Sequence, residues 1–247
     1  MPEQCFFTMT SVTSPLTPEL LHPDIWRASQ LARSTTRCVE TGFSALSNQL
    51  GSCGWPTGTL VDLLVQQPGI GEMRLLAPAL ASVAHRKVVL IQPPHTPQAL
   101  GLAGLGIPPA EVIWVKSTSS ADALWAAEQV LRSGSCGAVL FWVTHVRPES
   151  LRRLHLAAQS GETLFFALRP LQAAQDASPS PLRLTLRPAD SGIEIGFLKR
   201  RGPQRDEPLF LPLTTYRPFT PQHRRPVRAP VAPTEAQNPQ QVAPMYE

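Results

Sequence analysis

The stretch Val65-Gln66-Gln67-Pro68-Gly69-Ile70-Gly71-Glu72-Met73 carries the residues nearest to a recognisable chemistry. A glycine-containing turn between an apolar run and a helical one is where phosphate-binding loops sit, because backbone N–H groups and a helix start converge there on an anion. A loop that works on a nucleoside triphosphate needs a glycine, four further residues, then Gly-Lys and Ser or Thr. The lysine reaches the phosphates and the hydroxyl holds magnesium. Here Gln66, Glu72 and Met73 stand at the first-glycine, lysine and hydroxyl positions, and only Gly71 fits. Glutamate for lysine reverses a sign, and at about 4 Å and an effective dielectric of about 20 that contact becomes repulsive by about 4 kcal/mol. Phe141-Trp142-Val143-Thr144 ends the apolar run where a magnesium-holding aspartate belongs, and it supplies no carboxylate. We expect no ATP hydrolysis and no cofactor. Pro68, Gly69 and Gly71 are expected to turn the chain, and Glu72 to complement the helix N-terminal dipole.

The other reactive residue types form no pattern. Six histidines are scattered, and the acids show no spacing for paired acid–base work. Ser119 and Ser120 lack the Gly-x-Ser-x-Gly surroundings of a nucleophile and read better as a helix cap. Cys5, Cys38, Cys53 and Cys136 lie far apart without a Cys-x-x-Cys pair, which reads as reduced structural thiols and no metal site. Two groups remain as contact candidates. Lys199-Arg200-Arg201 follows an apolar run and precedes Gly202-Pro203, a place for weak DNA phosphate contact or for plain solvated charge. Trp26, in His22-Pro-Asp-Ile-Trp-Arg27, lies on a short amphipathic helix ahead of the main domain that docks on its own domain or on a partner. Trp114, Trp125 and Trp142 fall inside regular elements and are expected in the core.

These residues need elements to hold them. Between Leu60 and Pro170 apolar runs alternate with helical patterns: strands at 59–65, 87–91, 111–116, 137–143 and 163–168, with helices at 73–85, 119–133 and 149–159 between them. Ser119, with Asp122 three residues on, opens one helix and Gly134 closes it; Pro148 opens the next. Near-continuous apolar strands separated by helices mean a parallel sheet covered on both faces. After Pro170 the pattern becomes alternation, at 182–187, 193–198 and 209–213, which predicts antiparallel strands completing one edge.

With 247 residues and 43% apolar content the chain can bury a core without disulfides, while 27 prolines exclude a uniformly folded polymer. Residues 1–198 balance 14 basic against 14 acidic side chains; residues 199–247 hold 8 against 4. From residue 214 prolines, glutamines and arginines dominate, so residues 214–247 are expected as a disordered tail and residues 1–20 as a flexible start. No signal-like segment and no run of 18 apolar residues occurs, which points to a cytoplasmic location and no membrane span.

The run Thr41-Gly-Phe-Ser-Ala-Leu46, then Gly54-Trp-Pro-Thr-Gly58, then the strand and its altered loop, resembles the start of the RecA ATPase core. The likeness continues through Leu105-Gly-Ile107 and Ala126-Ala-Glu-Gln-Val-Leu-Arg-Ser-Gly134. More specifically, His22–Arg27, Gly54-Trp55-Pro56, Pro68–Glu72, Asp122–Gln129 and Phe166-Ala-Leu-Arg-Pro170 resemble the ImuA family, RecA-like accessory proteins of bacterial damage-induced mutagenesis. That resemblance implies a RecA-like three-layer α/β domain over residues 21–213 with an N-terminal helix. It also implies a non-catalytic part in the SOS response, linking RecA with ImuB and the error-prone polymerase ImuC in translesion synthesis. Leu75 to Pro170 also resembles SulA, the SOS inhibitor of cell division that binds FtsZ, although such chains are shorter and lack the His-Pro-Asp-Ile-Trp helix.

Overall fold

The computed structural model describes residues 37–51, 54–201 and 205–213. Trp26, its helix and the terminal segments 1–20 and 214–247 lie outside them. Among the described residues ten strands and five α-helices follow one another: β1 (Cys38–Val39), α1 (Ser44–Gln49), β2 (Trp55–Pro56), β3 (Thr59–Val65), α2 (Glu72–Val83), β4 (Val88–Ile91), α3 (Ala99–Gly104), β5 (Val112–Val115), α4 (Ser120–Ser133), β6 (Ala138–Trp142), α5 (Pro148–Ala158), β7 (Leu164–Pro170), β8 (Leu182–Ala189), β9 (Gly192–Lys199) and β10 (Leu209–Pro212). Eight strands form one sheet in the order β10-β9-β8-β3-β7-β6-β4-β5, and β1 and β2 form a separate antiparallel pair.

All six strands from β8 to β5 run parallel. Their sequences explain it: β3 and β4 are buried at every position, as strands covered on both faces must be. One face carries Val61, Leu63, Val88, Leu140 and Phe166 and packs on α1, α2 and α3 through Leu46, Leu75, Leu80 and Leu102. The other carries Leu60, Val89, Val139 and Phe165 and packs on α4 and α5 through Ala123, Ala127, Leu131, Leu151 and Leu154. Trp55 meets Phe166 edge to face at 5.3 Å in the first of these cores. The α4 boundaries follow the sequence: the Ser119 side chain accepts from the Ala121 and Asp122 N–H groups, and Gly134 caps the other end with φ 60°.

Three expectations change. The alternating run at 182–187 is not a purely antiparallel strand: β8 pairs parallel with β3 and antiparallel with β9. It alternates because Leu182, Leu184 and Leu186 enter the first core while Arg183 and Thr185 face the side that α4 and α5 do not reach. Trp114 and Trp125 are 44% and 64% exposed rather than core. β5 is the outermost strand, and Trp125 lies opposite the Ala123–Ala127 stripe that faces the sheet, so neither ring finds a second layer to enter. Cys136 is free and buried, as a structural thiol should be, but Cys38 is disulfide-bonded, because separation along the chain does not report approach in space. The helix expected at 73–85 is α2, and its internal Pro78 packs its ring against Gly42.

Candidate functional site

β3 ends at the glycine loop, and everything the loop does depends on where Glu72 points. Gln66, Gln67, Pro68 and Gly69 are exposed, and the chain then dives inward through Ile70, Gly71 and Glu72. Gly71 takes φ 118° as the residue preceding α2, a conformation that side-chain-bearing residues rarely adopt, which is why glycine stands there. The turn bends the Glu72 side chain back under the loop: it is 4% exposed. Its Oε1 accepts from the Gly69 N–H at 2.8 Å and its Oε2 from the Gly71 N–H at 3.2 Å. Those are the donors that an anion at a helix start would use. The carboxylate therefore does more than complement the dipole, and a phosphate would have to expel a buried group of its own sign. The residues of this loop do not fit a nucleotide phosphate. Met73 packs on the first core and offers no hydroxyl.

Above the loop lies a cleft of about 590 Å³ at the C-terminal ends of β3, β4, β6 and β7. In open α/β sheets this is the place where ligands are bound. Its walls include Gln66, Pro68, Gln92, Trp142, Thr144 and Arg169, and no carboxylate is among its lining residues. Gln92 has φ 54°, uncommon for a residue with a side chain, and its amide donates to the Ser117 carbonyl.

Behind the cleft a charged cluster crosses three strands. Asp62, fully buried in the middle of β3, shares Oδ2 between Arg169 Nη1 of β7 at 3.4 Å and Arg183 Nε of β8 at 3.1 Å. Arg169 also reaches Asp176 at 2.6 Å, and Arg183 donates to the Ala173 carbonyl at 2.9 Å. Both arginines thereby fasten the short 3₁₀ segment Leu171–Gln175 onto the sheet face that the helices leave open. Sequence reasoning missed this cluster. The signal available was a lone aspartate in an apolar strand, which a parallel sheet buries only with a cation beside it.

Lys199, Arg200 and Arg201 are at the other end of the sheet. Lys199 pairs with Arg183 near the start of β8, whereas the loop follows the end of β3 beside Leu186. Arg200 works inside the molecule: its guanidinium donates to the Gln49 carbonyl at 2.6 Å and lies over the Phe197 ring at 5.2 Å, closing the end of α1. Lys199 and Arg201 are exposed. His155 sits at that end as well. Its Nδ1 accepts from the Leu60 N–H at 3.3 Å, and burial, then the Lys199 charge, push its pKa below the ordinary 6.5. The basic residues and the loop thus do not form one site. Among the described residues no group of three or more His, Cys, Asp or Glu is placed to hold a metal ion, and no helix is long and apolar enough to cross a membrane.

No family model matches the chain. Among curated proteins it is similar to the cell division inhibitor SulA of Edwardsiella piscicida, 29% identical over 109 residues, covering 43% of this chain and 65% of that protein. The SulA of Serratia proteamaculans is 27% identical over 139 residues, 55% of this chain and 82% of its own. That of Photorhabdus laumondii is 29% identical over 115 residues, covering 46% and 65%. The chain thus spans about two thirds of the length of the Edwardsiella and Photorhabdus proteins.

Proposed function

We propose that this chain is a non-catalytic, RecA-like accessory protein of the bacterial SOS response that acts by binding other proteins, linking RecA with ImuB and the polymerase ImuC during translesion synthesis. The observation that carries the non-catalytic part is the buried Glu72 carboxylate, which takes the Gly69 and Gly71 N–H groups that a nucleotide would need. Sequence adds that no lysine, no hydroxyl and no acid ending β6 replaces what the loop lacks. Similarity to SulA supports the link with the SOS response. The ImuA-like motifs at 22–27, 54–56, 68–72 and 122–129 supply the particular partners.

The same similarity favours a second reading, in which the chain inhibits cell division by binding FtsZ as SulA does. Affinity purification of the tagged full chain from its host after DNA damage, with mass spectrometry of the partners, separates the two. Recovery of ImuB, ImuC or RecA is expected; recovery of FtsZ without them transfers the assignment to division inhibition. Magnesium-dependent ATP turnover that is lost on altering Glu72 would overturn the non-catalytic part.

A further inference from the structure

The eight-stranded sheet has two outer strands, and they are finished differently. β10 follows Pro208, ends in Pro212 and leaves Leu213, 5% exposed, turned in beside Gly71. Proline on an outer strand removes a backbone donor and discourages further pairing. β5 carries none of these devices: Val112-Ile-Trp-Val115 holds no proline, no charge and no register shift. An edge left in that form is a template for another strand. We infer that β5 pairs antiparallel with β5 of a second copy of this chain about a two-fold axis, joining two eight-stranded sheets into one.

The backbone fixes the register. The Gln92 N–H donates to the Val115 carbonyl at 3.0 Å, so the polar groups of Val115 face β4. Alternation along the strand turns those of Ile113 toward β4 as well, and those of Val112 and Trp114 away from the sheet. Placing Ile113 opposite Ile113 of the second copy sets Val112 opposite Trp114 on both sides of the axis. Each such pair exchanges two backbone hydrogen bonds, so every outward-facing group within β5 is used.

The side chains suit the same arrangement. Ile113 and Trp114 are 43% and 44% exposed and leave the strand on opposite faces. Val115, on the Ile113 face, packs on the core under α4 and α5, and Val112, on the Trp114 face, packs on the other core. A second strand therefore covers apolar surface on both faces at once, Ile113 against Ile113 on one and Trp114 against Val112 on the other. A two-fold contact also requires a surface that complements itself, and the ends of β5 do. Glu111 precedes the strand and gives only Oε2 to Lys87, at 2.9 Å; Lys116 follows it, exposed and without an ion pair among the described residues. Antiparallel pairing carries each Lys116 beside the Glu111 end of the other copy, so unlike charges meet at both ends, whereas parallel pairing would set like charges side by side. The pairing holds whichever partners the protein serves, so it stands or falls apart from the functional reading above.

Sedimentation equilibrium of the full chain over about 1–100 μM tests the association. A two-chain species is expected. Ile113→Lys sets two ammonium groups against each other on the axis and should weaken the dimer about a hundredfold or more, with the far-UV circular dichroism unchanged. A native chain that stays monomeric over that range, or a dimer that Ile113→Lys leaves as tight, overturns the inference. A second measurement needs no disruptive variant. Opposed residues at a position of this kind have Cα atoms about 4.5 Å apart, within disulfide reach. Ile113→Cys in the full chain should therefore give, on mild oxidation, a covalent dimer that peptide mapping shows to be linked 113 to 113, and Phe210→Cys on the opposite outer strand should not link to itself. No 113–113 link, or equal linking of the two variants, refutes the pairing.

Discussion

Asp62 and Glu72 are both buried acids on the same strand–loop–helix unit, ten positions apart, and they are neutralised in opposite ways. Asp62 lies between two guanidinium groups brought by neighbouring strands. Glu72 has no cation and is held by the N–H groups of its own loop. The first arrangement ties three strands and a 3₁₀ segment into one piece, so its partners come from more than a hundred residues away. The second is local and could be assembled by a short peptide. One acid serves the architecture; the other fills the position where the same architecture would receive a ligand.

Removing either acid tests that division. Asp62→Ala leaves Arg169, 1% exposed, with only the half-exposed Asp176 beside it; stripping one member from a buried ion pair costs up to about 3–5 kcal/mol, and a loss of about 2–3 kcal/mol is expected with Asp176 retained. Urea unfolding should show the loss, and a loss below about 1 kcal/mol would mean that Asp62 does not organise the sheet. Glu72→Gln keeps the shape but gives up an acceptor, leaving one buried N–H unpaired at a cost of about 1–3 kcal/mol. The difference between the two variants is the quantity to compare; equal losses would erase the distinction drawn here.

A third point on β3 sharpens the comparison. At its first residues the ladder to β8 has not yet begun, and the Leu60 N–H is satisfied by His155 while its carbonyl accepts from Ser180 Oγ at 2.7 Å. Burial and Lys199 lower the His155 pKa in the folded protein. The unfolded chain then takes up its proton first, so this contribution is complete above about pH 6.5 and falls as the pH drops below it, levelling off once the folded histidine also protonates. His155→Gln should flatten the stability profile between pH 7 and 5 relative to the native chain; an unchanged slope would assign it to other groups. The smallest effect belongs to the surface: Trp125→Ser, at a ring 64% exposed, should shift stability by less than about 0.5 kcal/mol. A larger loss would mean that something covers that ring in solution.

The regular part of the molecule was legible because its signals are local. The apolar runs at 59–65 and 137–143, the Ser119 cap and the Pro148 helix start appear within a residue or two of their expected places. The short elements were not legible: α1, α3 and the β1–β2 pair have too few residues for a period to emerge and are fixed by what they pack on, as Leu46 and Leu102 are by the first core. The geometry of the glycine loop was not legible, since nothing in Gly-Glu-Met says that the glutamate side chain turns inward. Arg200 was read as a solvent or DNA contact, yet its side chain is bound to the end of α1, a distance of 151 residues along the chain.

Residue order by itself determined the alternation of strands and helices, the two-faced burial that makes a sheet parallel, and the presence of glutamate and methionine at positions 72 and 73 after Gly71. These follow from periodicity and from the charge of single side chains, which need no knowledge of neighbours. Tertiary structure alone decided which strand borders which, that Asp62 meets two arginines, that Trp114 and Trp125 face outward, and that Leu213 ends beside Gly71. Those outcomes depend on contacts between distant residues, and the free energy of such contacts exists only once the chain has closed around them.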